Sequence, residues 1–205
     1  MSTSTFGYSR KTSRMIATRS SALKSGVAVY ALDLRGHAHS EGARVWAASF
    51  DDYLGDIERL FQRVATLHPG KPVFLMGHSM GGAIATLYTL TRKPELRGLI
   101  LSGPALKVGS DISSFLAGTT KVLGKVTPRL AVMNLENKSF SRSPAVVASM
   151  DSDPLIYNRA APARTAAELL KAIARIQGQM EQVTAPLLIL HADEDKLTNP
   201  DGSKE

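Results

Sequence analysis

Apolar positions run along the chain in two rhythms. Val27-Ala28-Val29-Tyr30-Ala31-Leu32 is a continuous apolar run bounded by Gly26 and Asp33. Short runs of this kind, rich in β-branched and aromatic residues, read as buried parallel strands. Similar runs recur at Pro72 to Met76, at Gly98 to Gly103 and at Leu187 to Leu190. They predict strands near residues 27–32, 72–77, 98–102 and 186–191. Between them the period lengthens. Phe50, Tyr53, Leu54, Ile57, Leu60, Phe61, Val64 and Leu67 fall three and four apart, which predicts a helix over 50–68. Ser49 with Asp52 is a capping-box-like start, and Pro69-Gly70 is the stop. Ala83 to Leu90 is too small-sided for a strand and reads as a buried helix. Thr165 to Gln182 is helical, with Leu169, Leu170, Ile173, Ile176 and Met180 on one side.

Strands alternating with helices predict an α/β fold, a parallel sheet with helices on its faces. Residues 104–164 break the alternation with Pro, Ser, Gly and scattered apolar residues, as an inserted cap of short helices would. The chain therefore divides into a first core part (1–104), a cap or lid (105–164) and a second core part (165–205).

Composition narrows the classes. Of the 205 residues 43% are hydrophobic and 21% charged, which excludes a mainly disordered or fibrous chain. No apolar run approaches the ~20 residues that span a bilayer. There is no cysteine, so thiol nucleophiles, disulfides and Cys-based zinc sites are excluded. The net charge of +7 could steer the chain toward nucleic acid, but its distribution argues against a groove-binding face. Eleven of the first 25 residues are Ser or Thr, with five Lys or Arg and no acid. That composition resembles a mitochondrial transit peptide; the plainer reading is a polar, poorly packed N-terminus. There is no apolar segment of a secretory signal, and the location expected is cytoplasmic.

One motif carries chemistry. Gly77-His78-Ser79-Met80-Gly81 matches G-x-S-x-G, between a predicted buried strand and a small-residue helix. This setting is that of a nucleophile elbow. Ser79 must sit on a sharp turn that lifts its hydroxyl above the sheet, and Gly77 and Gly81 are expected to be required by crowding there. The Met80 N–H, at the helix N-terminus, would face a developing oxyanion.

Together with Leu32-Asp33-Leu34-Arg35-Gly36-His37 and Ser40-Glu41-Gly42, the run Gly77 to Ala83 resembles the monoacylglycerol lipases of the α/β-hydrolase superfamily. The likeness is closest over Val27 to Pro104 and over Val183 to Thr198. It implies that the catalytic acid is Asp195, in Asp195-Lys196-Leu197, rather than Asp193 or a merely solvated acidic loop. It implies no metal and no cofactor. It places the second oxyanion donor at Tyr8, after Phe6-Gly7, where the family has His-Gly. The family's preceding strand, which lies between the strands at 27–32 and 72–77, has no sequence here. Unless residues 1–20 replace that strand, those two strands are then expected to pair directly, or through a partner chain. The family histidine follows the acid, whereas His191 is the last of five histidines here; it alone is placed to serve as a substitute base, and the plainer reading is a hydrogen-bonded loop histidine. The chain thus reads as truncated at both ends.

The function implied is a serine ester hydrolase that cleaves monoglycerides or other acyl esters through a Ser79 acyl-enzyme. Leu106, Val108, Ile112, Phe115, Leu116, Val122 and Leu123 would suit a lid over an acyl chain, or simply a cap core. The alternative is a non-catalytic relative that binds acyl ligands or a partner without turnover. Either is compatible with a membrane-surface contact or a homodimer, and neither with nucleic acid as partner.

Overall fold

The computed structural model describes residues 4–6, 14–18, 26–108 and 114–205, with side chains over 26–108 and 118–205. Strands form at all four predicted positions: β3 (Val29–Asp33), β4 (Phe74–His78), β5 (Gly98–Ser102) and β8 (Leu187–Leu190). The last three make a parallel sheet in the order β4-β5-β8, with His78 opposite Ser102 and Ser102 opposite Leu190.

The first strand departs from expectation. β3 pairs antiparallel with β2 (Arg14–Thr18), which pairs antiparallel with β1 (Ser4–Phe6), and the three form a separate sheet. The polar N-terminus thus contributes two strands, built on residues of good β propensity such as Thr5, Phe6, Ile16 and Thr18. β3 and β4 do not pair; each is an edge of its own sheet, and among the described residues no strand bonds to the free side of β4. Direct pairing is therefore corrected. Val27, expected inside the buried run, is 49% exposed.

Helix α1 (Phe50–Leu67) forms where the period predicts, and its cap is the predicted one. The Ser49 side chain accepts the Asp51 N–H at 3.2 Å, and the Asp52 carboxylate accepts the Ser49 N–H at 3.4 Å. Ser49→Ala should cost about 1 kcal/mol. Urea unfolding should show a lower midpoint at unchanged slope; an unmoved midpoint would contradict the cap's role. Phe50, Tyr53, Leu54 and Ile57 bury the apolar face of α1, with Phe50, Leu54 and Ile57 each worth roughly 1.5–3 kcal/mol of transfer free energy. Arg35 donates twice to the buried Asp56 carboxylate, both at 2.8 Å, and pairs with Asp52 at 3.1 Å. That fork ties the loop after β3 to α1.

Helix α2 (Met80–Arg92) is buried from Gly82 to Leu90, as its small side chains predict. Its buried Thr86 and Thr89 hydroxyls donate back to Gly82 and Ala85 carbonyls at 2.9 Å, so neither is left unpaired. Together α1, α2 and α5 (Ala163–Gln177) enclose the core with Leu75, Leu99 and Leu101 of the parallel sheet. On the other sheet face Phe74, Met76, Leu188 and Leu190 are each more than half exposed. α5 is shorter than the period suggests. It stops at Gly178, and Met180–Gln182 continue as a 3-10 turn.

The segment between β5 and α5 holds α3 (Ser114–Val126), β6 (Ala131–Met133), α4 (Pro144–Ser152) and β7 (Ala161–Pro162), with β6 and β7 antiparallel. Its base is tied to the core by Thr165, whose hydroxyl accepts the Ala47 N–H at 3.1 Å and donates to the Val45 carbonyl at 2.8 Å. Of the residues expected to line a lid, Leu106 lies in the main core and Val122 is exposed. Ile112 and the side chains of Phe115 and Leu116 lie outside the described residues. No helix among the described residues is long and apolar enough to cross a membrane.

Candidate active site

Ser79 sits between the end of β4 and the start of α2 with φ 50° and ψ −121°. A side chain in that region is strained, and such strain persists only where surrounding structure enforces it. Here the enforcement is visible. The Ser79 N–H donates to the Ser102 carbonyl at 3.0 Å, and the Ser79 carbonyl accepts N–H groups of Gly82 at 2.9 Å and Ala105 at 3.0 Å.

Crowding explains one of the two expected glycines and corrects the other. A Cβ on Gly77 would lie 2.3 Å from the Gly81 carbonyl oxygen, which no real side chain tolerates. A Cβ on Gly81 would meet nothing within 4 Å. The second crowded glycine is Gly82, where a Cβ would be 2.6 Å from Pro104 Cβ. The motif spacing could not show this, because Pro104 arrives from the far end of β5.

Met80 is the first residue of α2, and the first N–H groups of a helix have no partner within it. Tyr8, the expected second donor, lies outside the described residues.

Asp195 is half-buried in the loop after β8, while Asp193 is exposed. One oxygen of Asp195, Oδ1, accepts the N–H groups of Leu197 at 2.8 Å and Thr198 at 3.0 Å. The other, Oδ2, accepts the Thr198 hydroxyl at 2.8 Å. Gly103 marks how near this loop comes to the elbow. Its Cβ position lies 3.3 Å from Asp195 Oδ2 and 3.7 Å from His78 Cε1, and it directly follows Ser102, which holds the Ser79 N–H. Burial pushes the Asp195 carboxyl up. The N–H and hydroxyl of Thr198, the Leu197 N–H and nearby His191 outweigh burial, and the carboxyl titrates below its ordinary value.

A depressed native value stabilises the fold above the ordinary carboxylate range, and the stabilisation is lost as pH falls through the native value. Asp195→Asn should therefore lower Tm at pH 7 and lose that deficit as the pH drops below about 4. A deficit that persists unchanged in acid would contradict the assignment.

The histidines are placed as follows. His37 Nδ1 meets the Arg35 carbonyl at 3.0 Å, and His68 Nε2 meets the Tyr30 hydroxyl at 2.6 Å. His39 is exposed. His78 Nδ1 lies 2.8 Å from the Ser102 carbonyl. His191 lies between Ser203 and Thr198, contacts that sequence spacing gave no means to foresee. Among the described residues no three His, Asp or Glu side chains group as a metal site requires.

A strained serine after a parallel strand, with a buried helix behind it, is the arrangement of an α/β-hydrolase. The fold agrees: a monoacylglycerol lipase structure from Paleococcus ferrophilus superposes with a TM-score of 0.78 at 32% identity, over 88% of this chain and 68% of that one. The chain belongs to the hydrolase family described as serine aminopeptidase, S33, whose pattern matches residues 7–205. It is 37% identical to the monoacylglycerol lipase of Mycolicibacterium smegmatis, over 88% of this chain and 64% of that protein. It is 32% identical to human monoglyceride lipase, over 85% of this chain and 58% of the relative. The chain thus spans about six-tenths of the length of these two curated relatives.

Proposed function

We propose that the protein hydrolyses acyl esters, monoglycerides among them, through an acyl-enzyme on Ser79. The observation that carries this reading is the positive φ of Ser79, held by backbone bonds to Ser102, Gly82 and Ala105. In this reading Ser79 Oγ bonds to the acyl carbon as a base takes its proton. The Met80 N–H, with the Tyr8 N–H that the family likeness suggests, donates to the oxyanion. The alcohol leaves with the proton, and water then cleaves the Ser79 ester. Asp195 would orient the base and stabilise its charged form.

The test is release of alcohol or fatty acid from p-nitrophenyl esters and monoacylglycerols. Product should fall to background in Ser79→Ala; product that persists in that variant would contradict the reading. A second reading, an acyl-binding relative without turnover, is favoured by one observation: His191 is engaged with Thr198 and Ser203. Saturable binding of a fatty acid with no product from wild-type protein would support it.

A further inference from the structure

The acid loop contains more order than an orienting carboxylate needs, and proton accounting gives that order a direction. His191 Nε2 faces three oxygens: the Thr198 hydroxyl at 3.1 Å, the Thr198 carbonyl at 3.3 Å and Asp195 Oδ2 at 3.6 Å. A carbonyl and a carboxylate only accept. The ring proton therefore sits on Nε2, and the neutral ring's lone pair is on Nδ1. That lone pair accepts the Ser203 hydroxyl at 2.7 Å. The Thr198 hydroxyl, accepting from Nε2–H, has one proton to give. Its choices are Asp195 Oδ2 at 2.8 Å and the Gly103 carbonyl at 3.2 Å. The shorter, charge-assisted bond takes it.

We infer that Ser203, His191 and Thr198 form a directed hydrogen-bond chain ending on Asp195, with His191 and Thr198 as positioning residues for that carboxylate. The inference rests on the reading of Asp195 as the catalytic acid. Oδ1 is occupied by the Leu197 and Thr198 N–H groups. The Thr198 hydroxyl fixes the torsion of the carboxylate, so that the remaining lone pair of Oδ2 stays on the Gly103 side, next to the elbow. Thr198 is only 5% exposed and His191's side chain 6%. Both sit away from solvent, and both His191 nitrogens are occupied. His191 is therefore not a free substitute base for Ser79; it acts through Thr198. Among the described residues the ionisable group facing Asp195 is His191, and His78 lies on the other side of the Gly103 Cβ position.

Nitrogen-15 NMR of the histidine rings in the full 205-residue chain tests the direction without any variant. Above the imidazole titration, His191 should show its proton on Nε2; a proton on Nδ1 overturns the chain. Carboxyl carbon-13 titration tests the last link. Thr198→Val should raise the midpoint of Asp195, since a donor to the charged form is gone. Thr198→Ser, which keeps the hydroxyl, should restore the wild-type midpoint. A Val variant that titrates like wild type, or a Ser variant that shifts as far as Val, overturns the proposal. None of these readouts needs turnover. Failure of ester hydrolysis would strike the functional reading alone, and a misplaced His191 proton would strike this inference alone.

Discussion

Ester hydrolysis by the 205-residue polypeptide should be slow, and Ser79→Ala should remove what there is. The Ser79 hydroxyl is protonated at neutral pH and needs a base within hydrogen-bond reach. None of the histidine contacts described above reaches Ser79. His68 is on Tyr30, His37 on its own loop, and His191 on Thr198 and Ser203. Hydrolases deprived of a triad member retain about 10³–10⁴-fold acceleration over water from the oxyanion hole and binding. With no base bonded to Ser79 among the described histidine contacts, turnover should fall in that range. Steady-state release from a p-nitrophenyl ester measures this directly. Rapid turnover that Ser79→Ala abolishes would mean that a base does reach Ser79. If His191→Ala left such turnover intact, that base would come from elsewhere, such as a second chain.

The largest stability effect is expected at Gly77. Gly77→Ala places a Cβ 2.3 Å from the Gly81 carbonyl oxygen, a backbone atom at the start of α2 that cannot swing aside. Either the elbow opens or α2 moves away from the sheet. Overpacking of this kind costs about 3 kcal/mol, which should lower Tm by about 6–12 °C at this chain length. Gly81→Ala is the control. Its Cβ would meet nothing within 4 Å, and alanine restricts the unfolded chain, so that variant should gain about 0.4–1 kcal/mol. Differential scanning calorimetry separates the two. Equal Tm changes at 77 and 81 would contradict the steric account of the elbow.

How much was legible follows from which interactions are local. The cap of α1 was legible because Ser49 and Asp52 satisfy one another within a single turn. The elbow was legible because strand, serine and helix are contiguous. The motif spacing points to Gly81 as the second crowded glycine, whereas the crowded one is Gly82, whose partner Pro104 follows β5. The partner of β3 was hidden as well. A continuous apolar run tells that Val29–Asp33 is extended, but not that Arg14–Thr18 returns antiparallel beside it. The Ser- and Thr-rich composition of that stretch concealed the strands. The bonds to the Asp195 carboxylate come from Leu197 and Thr198, two and three residues on, whereas the Ser203–His191–Thr198 chain arises only when the loop folds back on itself.

The claim on which the rest depends is that Ser79 is the nucleophile. Mass spectrometry after prolonged exposure to a fluorophosphonate tests it most directly, since the reagent phosphonylates a nucleophilic serine, slowly where no base assists it, and stays bound. The account predicts one adduct, on the peptide containing Gly77 to Gly81, localised to Ser79 and absent from Ser79→Ala. An adduct on another residue, or none on Ser79, would contradict it.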